Sequence, residues 1–276
     1  MGHFYRNAHC WGDLRFNTED TEKQSMSDEI AEQWPEVVRR IRERTPARVL
    51  SGRAGSSYVT RSQLELREAH AAAVDAVRDE LELTSTLGAA FCERWKLFEV
   101  STQASSKAEY LLRPDLGRCL SDEARGTIRE RCPKNVDLQI AIGDGLSVAA
   151  VAAQIPQLLP LLLQGAVRRG WHVGQPFVVR HCRVGVMNDL GELLSPAATA
   201  LLIGERPGLA TAESLSAYLA FRPNRNHSDA DRNLISNIHS RGTPPTEAAT
   251  RILAVLSAMM MQQISGTKLK TASLKS

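Results

Sequence analysis

Apolar and polar positions follow two different rhythms along this chain. In the first third they recur at helical spacing. Ile30, Trp34, Val37, Val38 and Ile41 form one set, in a segment that Ser27 and Asp28 can start. Thr45-Pro46 ends it, because the residue before a proline avoids the helical region. A second set, Leu64, Ala71, Val74, Val77 and Leu81, predicts one long helix over Arg61–Leu81 with these residues on its buried stripe.

After Leu97 the rhythm changes. LFEVSTQ and EYLLRP read as short extended runs, and Ser121 caps a helix with Asp122 and Glu123 in its first turn, where the helix dipole favours anions. From Val136 the period becomes two. Val136, Leu138, Ile140 and Ile142 alternate with Asp137, Gln139 and Ala141, predicting a strand that stops at Gly143-Asp144-Gly145. A helix follows from Ser147 to about Arg169, bent near Pro156 and Pro160. FVVRHCRVGV, ATALLIG and SLSAYLAF are three further strands, with a short helical turn, NDLGELL, after the first of them. The last helix starts at Thr243 with Pro244 at its first position. It carries Ile252, Val255, Leu256 and Met259 inward, and Gly266 can end it.

Strands alternating with helices over residues 97–266 predict an α/β fold built on an open, largely parallel sheet. The expected organisation is a flexible arm over residues 1–28, a small N-terminal helical domain over 29–95, and the sheet domain over 96–276. The length of 276 residues, at ~150 per domain, agrees with just under two domains. Apolar residues at 43% and charged residues at 24% exclude wholesale disorder, collagen and coiled coil. A net charge of +3 is too small for nucleic-acid binding by the chain as a whole.

Five scattered cysteines without a CxxC suggest neither a disulfide framework nor a zinc module, and a reduced cytoplasmic protein is the simplest reading. The N-terminus has no continuous apolar core of a secretory signal, and Arg6 stands where a myristoylation motif wants Ser or Thr. The most apolar stretch, Val148–Val167, is interrupted by two prolines and by glutamines, which argues against a membrane span.

Open α/β sheets bind ligands at the carboxyl ends of their strands. Here those ends read IGDGLS, GERPG and SNIHSRGTPP. They suit a ligand site with backbone amides and an acid or two, and equally suit ordinary strand-to-helix turns. Gly143-Asp144-Gly145 opens like a dinucleotide fingerprint, but position 148 is Val and Asp144 would repel a pyrophosphate. Ser51-Gly52-Arg53-Ala54-Gly55 is either an anion-holding loop or, preferably, a tight turn with an outward Arg. Six arginines between Arg39 and Arg53, with Glu43 the lone acid, suit a solvated helix face or an acidic protein partner better than nucleic acid, since no aromatics are interleaved. No HExxH or triad context is present. His239 is a candidate functional residue, though a satisfied loop histidine is the simpler reading. Read from its residues alone, the chain offers a cleft without a catalytic set.

The stretches TPARVLSGRAG, RPDLGR, VDLQIAIGDGLS, FVVRHCRVGVMNDLGE, LLIGERPGL, ESLSAYLAFRP and DRNLISNIHSRGTPPTEAA, in that order over roughly residues 46–266, resemble the small subunit of ethanolamine ammonia-lyase. The resemblance implies a Rossmann-like fold. It also implies an adenosylcobalamin enzyme in which a large barrel subunit binds ethanolamine and the small subunit closes over the corrinoid at their interface. The pair converts ethanolamine to acetaldehyde and ammonia by radical chemistry. The absence of reacting groups here then has an explanation, since the cofactor carries the hard chemistry. The small subunit alone would be inactive, and six copies of each chain would assemble. With no DxHxxG to supply a histidine to cobalt, the cofactor would bind base-on. Three positions are implied as cofactor contacts: Val184 after the second strand, Glu205 in GERPG, and Leu234 before ISNIH, where relatives can carry Cys. Val184 suits a backbone contact, and Glu205 suits an acceptor for corrin amides or the nucleotide tail. The competing reading of Glu205 is an ion pair with Arg206. The competing reading of the whole is a non-catalytic scaffold subunit without corrinoid contact. The N-terminal arm has no clean amphipathic stripe, which favours a free cytoplasmic enzyme over packing in a bacterial microcompartment.

Overall fold

The structure, a computed structural model, describes residues 35–44 and 53–269. The arm over 1–28, the helix start at Ser27-Asp28, Ile30, Trp34, the stop at Thr45-Pro46 and the Ser51-Gly52 pair lie outside the described residues. Two compact units separate between Leu50 and Ser51. In the first, helix α1 (Glu36–Glu43) follows Pro35 and is reinforced by an Arg39–Glu36 ion pair one turn apart.

The second unit opens with a hairpin of β1 (Arg53–Ala54) and β2 (Ser57–Tyr58). Gly55, at φ +65°, takes the first of its two turn residues, so this part of the glycine-rich run is a tight turn. Helix α2 (Thr60–Arg78) ends one turn earlier than expected. Its expected stripe is corrected too. Ser62 and Ala76 are its buried residues, whereas Leu64 and Val74 are exposed, and Leu81 is buried only beyond the helix end. Alanine, leucine, glutamate and arginine have the propensity to hold a helix without a fully packed face. The short helices α3 (Leu83–Leu87) and α4 (Ala89–Arg94) follow, and Leu81, Leu87 and Cys92 join the apolar cluster under the sheet.

Six strands form that sheet: β3 (Glu99–Ser101), β4 (Leu138–Gly143), β5 (Phe177–Arg180), β6 (Ala198–Gly204), β7 (Leu215–Phe221) and β8 (Asn233–Ile238), in the order β3-β5-β4-β6-β7-β8. The first four are parallel, but β7 runs antiparallel to β6, and β8 antiparallel to β7. The expected largely parallel, Rossmann-like sheet is therefore a mixed one. The reason is connection length: the links from β6 to β7 and from β7 to β8 carry no α-helix, and a parallel crossover needs a dozen or more residues, usually with one.

Helices cover both faces. On one face lie α7 (Val148–Val167) and α9 (Pro245–Gln262); on the other, α6 (Asp122–Arg131) and α8 (Val186–Leu194), with α5 (Lys107–Leu112) preceding α6 in the chain. The run EYLLRP, expected to be extended, supplies α5, whose N-cap Ser106 accepts from Glu109 N–H. Ser121 caps α6 as expected, accepting from Ala124 N–H at 3.1 Å. Burial on both faces explains why β4 shows no exposed side: all six residues are buried, and the Gln139 amide donates to two carbonyls at 2.9 Å. Helix α7 runs through Pro156 and Pro160, and half of it is buried as a core helix packed against both the sheet and α9. Ile252, Val255, Leu256 and Met259 of α9 are buried as expected, but the helix stops at left-handed Gln263, before Gly266.

Candidate functional site

From β4 the chain crosses by α7 to β5 on one side, and from β5 by α8 to β6 on the other. The carboxyl ends of β4, β5 and β6 thus frame a topological switch point, where open α/β sheets leave a crevice. Antiparallel β7 begins there, and β8, parallel to β6, ends there.

The glycines of the first two turns bring strand ends together rather than opening to a ligand. Gly145 has φ +55°, and a methyl on it would lie 2.2 Å from the Gly204 carbonyl oxygen, which accepts from Leu146 N–H at 3.1 Å. Asp144 points inward as well. It is fully buried, accepts from Cys182 N–H at 2.8 Å, and lies 3.3 Å from the buried Lys107 ammonium. Lys107 also donates to Gly145 O, at 3.3 Å. Tyr110, one turn along α5, is fully buried and donates its hydroxyl to Cys182 O at 2.9 Å.

Both backbone polar groups of Cys182 are therefore held by buried side chains. Its neighbours are tied too: Thr102 donates to His181 O at 2.9 Å, and Arg183 N–H donates to Gly117 O at 2.7 Å. Left-handed His181 (φ 54°) stacks on Tyr110 and sets its ring nitrogens 3.0 Å from Ala104 O and from Glu80. Partial burial works to raise the Glu80 carboxyl, but His181, a backbone N–H and Arg180 hold it below the usual range. Val184 emerges from this clamped turn half-buried, with its carbonyl accepting from Met187 N–H at 3.2 Å.

Glu205, at the end of β6, accepts from the Ser214 hydroxyl at 2.7 Å, from the Ser216 hydroxyl, and from Asn237 N–H at 3.1 Å. Among the described residues it makes no ion pair with Arg206, so that competing reading is not met. Its carboxylate joins the end of β6 to the start of β7 and the end of β8. Leu234 sits on edge strand β8 opposite Tyr218 and is 50% exposed.

Val184, Glu205 and Leu234 line one cleft of about 260 Å³, with Arg183, Ile203 and Tyr218. A wider groove of about 850 Å³ shares Arg183, Val184, Tyr218 and Leu234 with it and continues to Arg118 and Arg232. The floor is the sheet face beyond α8. There Tyr218 is half-buried and Leu234 and Ser236 are exposed, while Ile235, on the other face, packs into the core under α9. Three of these residues are legible in the sequence through family resemblance, whereas Arg183, Tyr110, Ser216 and Tyr218 are not singled out by it. For the last two a signal existed, since Ser214, Ser216 and Tyr218 alternate with Leu215, Ala217 and Leu219 along β7.

Among the described residues, those that line the cleft include no histidine. Burial, then Asp144, pushes the Cys182 thiol far above its ordinary range. Among the described residues no group of three or more His, Cys, Asp or Glu could hold a metal ion. His239 is a satisfied loop histidine: it is buried, its Nε2 lies 2.7 Å from Asn237 Oδ1, and its Nδ1 accepts from Arg241 N–H. Burial and Arg241 hold its pKa below the ordinary value.

Residues 35–270 match the family model described as ethanolamine ammonia-lyase light chain (EutC). The chain is 41% identical over 251 residues to the ethanolamine ammonia-lyase small subunit of Clostridium perfringens, covering 91% of this chain and 82% of that one. It is 42% identical over 231 residues to the small subunit of Fusobacterium nucleatum, covering 84% and 76%. Over 251 residues it is 41% identical to that of Listeria monocytogenes, covering 91% and 83%.

Proposed function

The chain belongs to the ethanolamine ammonia-lyase light-chain family, and from that premise we propose that its cleft holds adenosylcobalamin, base-on, against the large subunit. A small subunit implies a large partner, and the lyase is a complex. The observation that carries the proposal is the meeting of Val184, Glu205 and Leu234, from three separate segments, on one wall of one cleft.

The residues present fit a corrinoid. Its rim of amides needs donors and acceptors. Glu205 has one lone-pair position left after its three donors, and the exposed Ser236 hydroxyl in the same cleft can donate. Its apolar flank needs a ledge, which Leu234, Tyr218 and Ile203 provide. The cleft's 260 Å³ is small beside the roughly 300–1,000 Å³ that encloses even drug-sized ligands. This chain can therefore grip one side of so large a group and leave the rest to a partner. When bound, the cofactor supplies the radical chemistry that turns ethanolamine into acetaldehyde and ammonia. The chain's own residues bind and orient: the clamped 181–183 turn sets Val184, and Glu205 fixes the junction of β6, β7 and β8.

The test is retention of adenosylcobalamin on the co-purified two-subunit complex, read from corrin absorbance after gel filtration. Glu205→Ala removes a charge-assisted acceptor and should weaken retention about tenfold to hundredfold. Leu234→Asp changes only an exposed ledge position and should weaken it about tenfold. A scaffold without corrinoid contact predicts no change for either variant, and that result would overturn the proposal.

A further inference from the structure

Four guanidiniums, of Arg118, Arg183, Arg225 and Arg232, line the wider groove, against two carboxylates, Asp189 and Asp229. Both carboxylates are engaged: Asp189 by Arg125 and Leu120 N–H, Asp229 by Arg232. Arg225 pairs with Glu192 at 3.2 Å. Arg118 and Arg183 have no carboxylate partner among the described residues.

Their placement is nevertheless built. The Arg183 guanidinium lies 4.3 Å from the Tyr110 ring centroid. Its stem rests on Gly117, where a methyl would fall 2.7 Å from its Cγ, and the Arg118 stem rests on Gly185, where a methyl would fall 2.8 Å away. The Arg232 side chain is 4% exposed and donates to Asn188 Oδ1 at 2.8 Å. Nε of Arg183 and Nε of Arg232 are buried without an acceptor. Burial, and then repulsion from nearby Arg118, hold the Arg232 pKa below its ordinary value. Buried donors without acceptors and adjacent like charges each cost free energy. An anion with several oxygens offsets the like charges, and guanidinium forks match phosphate geometry.

We propose that Arg118, Arg183 and Arg232 form an anion subsite for a phosphodiester, the charged link in the nucleotide tail of a bound corrinoid. The proposal rests on the cofactor reading above, because the groove is continuous with that cleft through Arg183, Val184, Tyr218 and Leu234. Free orthophosphate has the same chemistry and is the other source to distinguish.

The experiment compares binding of cobalamin and of cobinamide, which keeps the corrin ring and lacks the nucleotide tail, to the co-purified complex by absorbance titration. Arg183→Gln and Arg118→Gln should each weaken cobalamin about tenfold to hundredfold and leave cobinamide within about twofold. Arg118 is exposed, so its substitution spares the fold. Arg183→Lys should recover part of the loss, since it keeps the charge without the fork. Orthophosphate should compete with cobalamin and not with cobinamide. Equal weakening of both corrinoids, or of neither, overturns the subsite and leaves the cofactor reading standing. Orthophosphate that binds without affecting cobalamin assigns the arginines to free phosphate and also overturns it. A wild-type complex that binds neither corrinoid refutes both readings.

Discussion

Lys107→Met isolates the pair that holds the β5 turn. Asp144 is fully buried, the Lys107 side chain is 6% exposed, and their charged atoms lie 3.3 Å apart. At an effective dielectric near 20, that separation is worth about 5 kcal/mol of attraction, set against several kcal/mol to desolvate each ion. The pair's net contribution is therefore modest, but breaking it is costly. Without the ammonium, Asp144 keeps only Cys182 N–H, at 2.8 Å. Urea unfolding of the full chain, followed by circular dichroism, should show Lys107→Met less stable by about 3–5 kcal/mol. Asp144→Asn keeps an acceptor for Cys182 N–H yet strands the ammonium, and should cost a similar amount. The double variant should cost less than the sum of the two by about 2 kcal/mol or more, because neither charge is then left alone. A Lys107→Met protein within about 1 kcal/mol of wild type, or strictly additive single losses, would show that the two charges do not depend on each other. The account of how Val184 is presented would then fail.

Other outcomes follow from single positions. Gly145→Ala must adopt φ +55° and push on the Gly204 carbonyl from 2.2 Å, so it should destabilise the fold by about 3 kcal/mol in urea; a loss under about 1 kcal/mol contradicts the packed-turn description. The folded-state pKa of His239 is depressed, so between about 6.5 and that lower value the unfolded chain binds more protons and stability falls as pH falls. Melting temperatures between pH 7.5 and 5.5 should show that component in the wild type and a shallower decline in His239→Gln; identical slopes would argue against it. Burial pushes Cys132 up to about 11 and raises Cys182 well above its ordinary value, so iodoacetamide at pH 8 should leave both unlabelled until urea is added, as read by peptide mass spectrometry. Native labelling of Cys182 at the denatured rate would contradict its burial.

Much of the architecture was legible locally. The apolar run of β4, the capped start of α6 and the inward residues of α9 all follow from periodicity and cap chemistry, which act over a few residues. The errors share one cause. EYLLRP reads as extended because its apolar residues are too few to show a period, and the buried Tyr110 within it and Lys107 just before it answer to distant partners, Cys182 and Asp144. The stripe of α2 reads as buried because spacing shows which face is apolar and not what covers it. Asp144 reads as a ligand-facing acid, since no local pattern announces a lysine 37 residues away in sequence as its partner.

Sequence by itself determined the class of fold and the glycine-and-acid turns at strand ends, and through family resemblance it pointed to Val184, Glu205 and Leu234 as candidate contacts. Tertiary structure alone decided that β7 and β8 run antiparallel, that the uncovered face beyond α8 forms a ledge, and that these three residues share it with Arg183 and Tyr218. The physical reason is range. Hydrophobic period and turn chemistry are set by neighbours in the chain, whereas strand direction, the pairing of buried charges and the coverage of a face are settled only by what packs against them from far away in sequence.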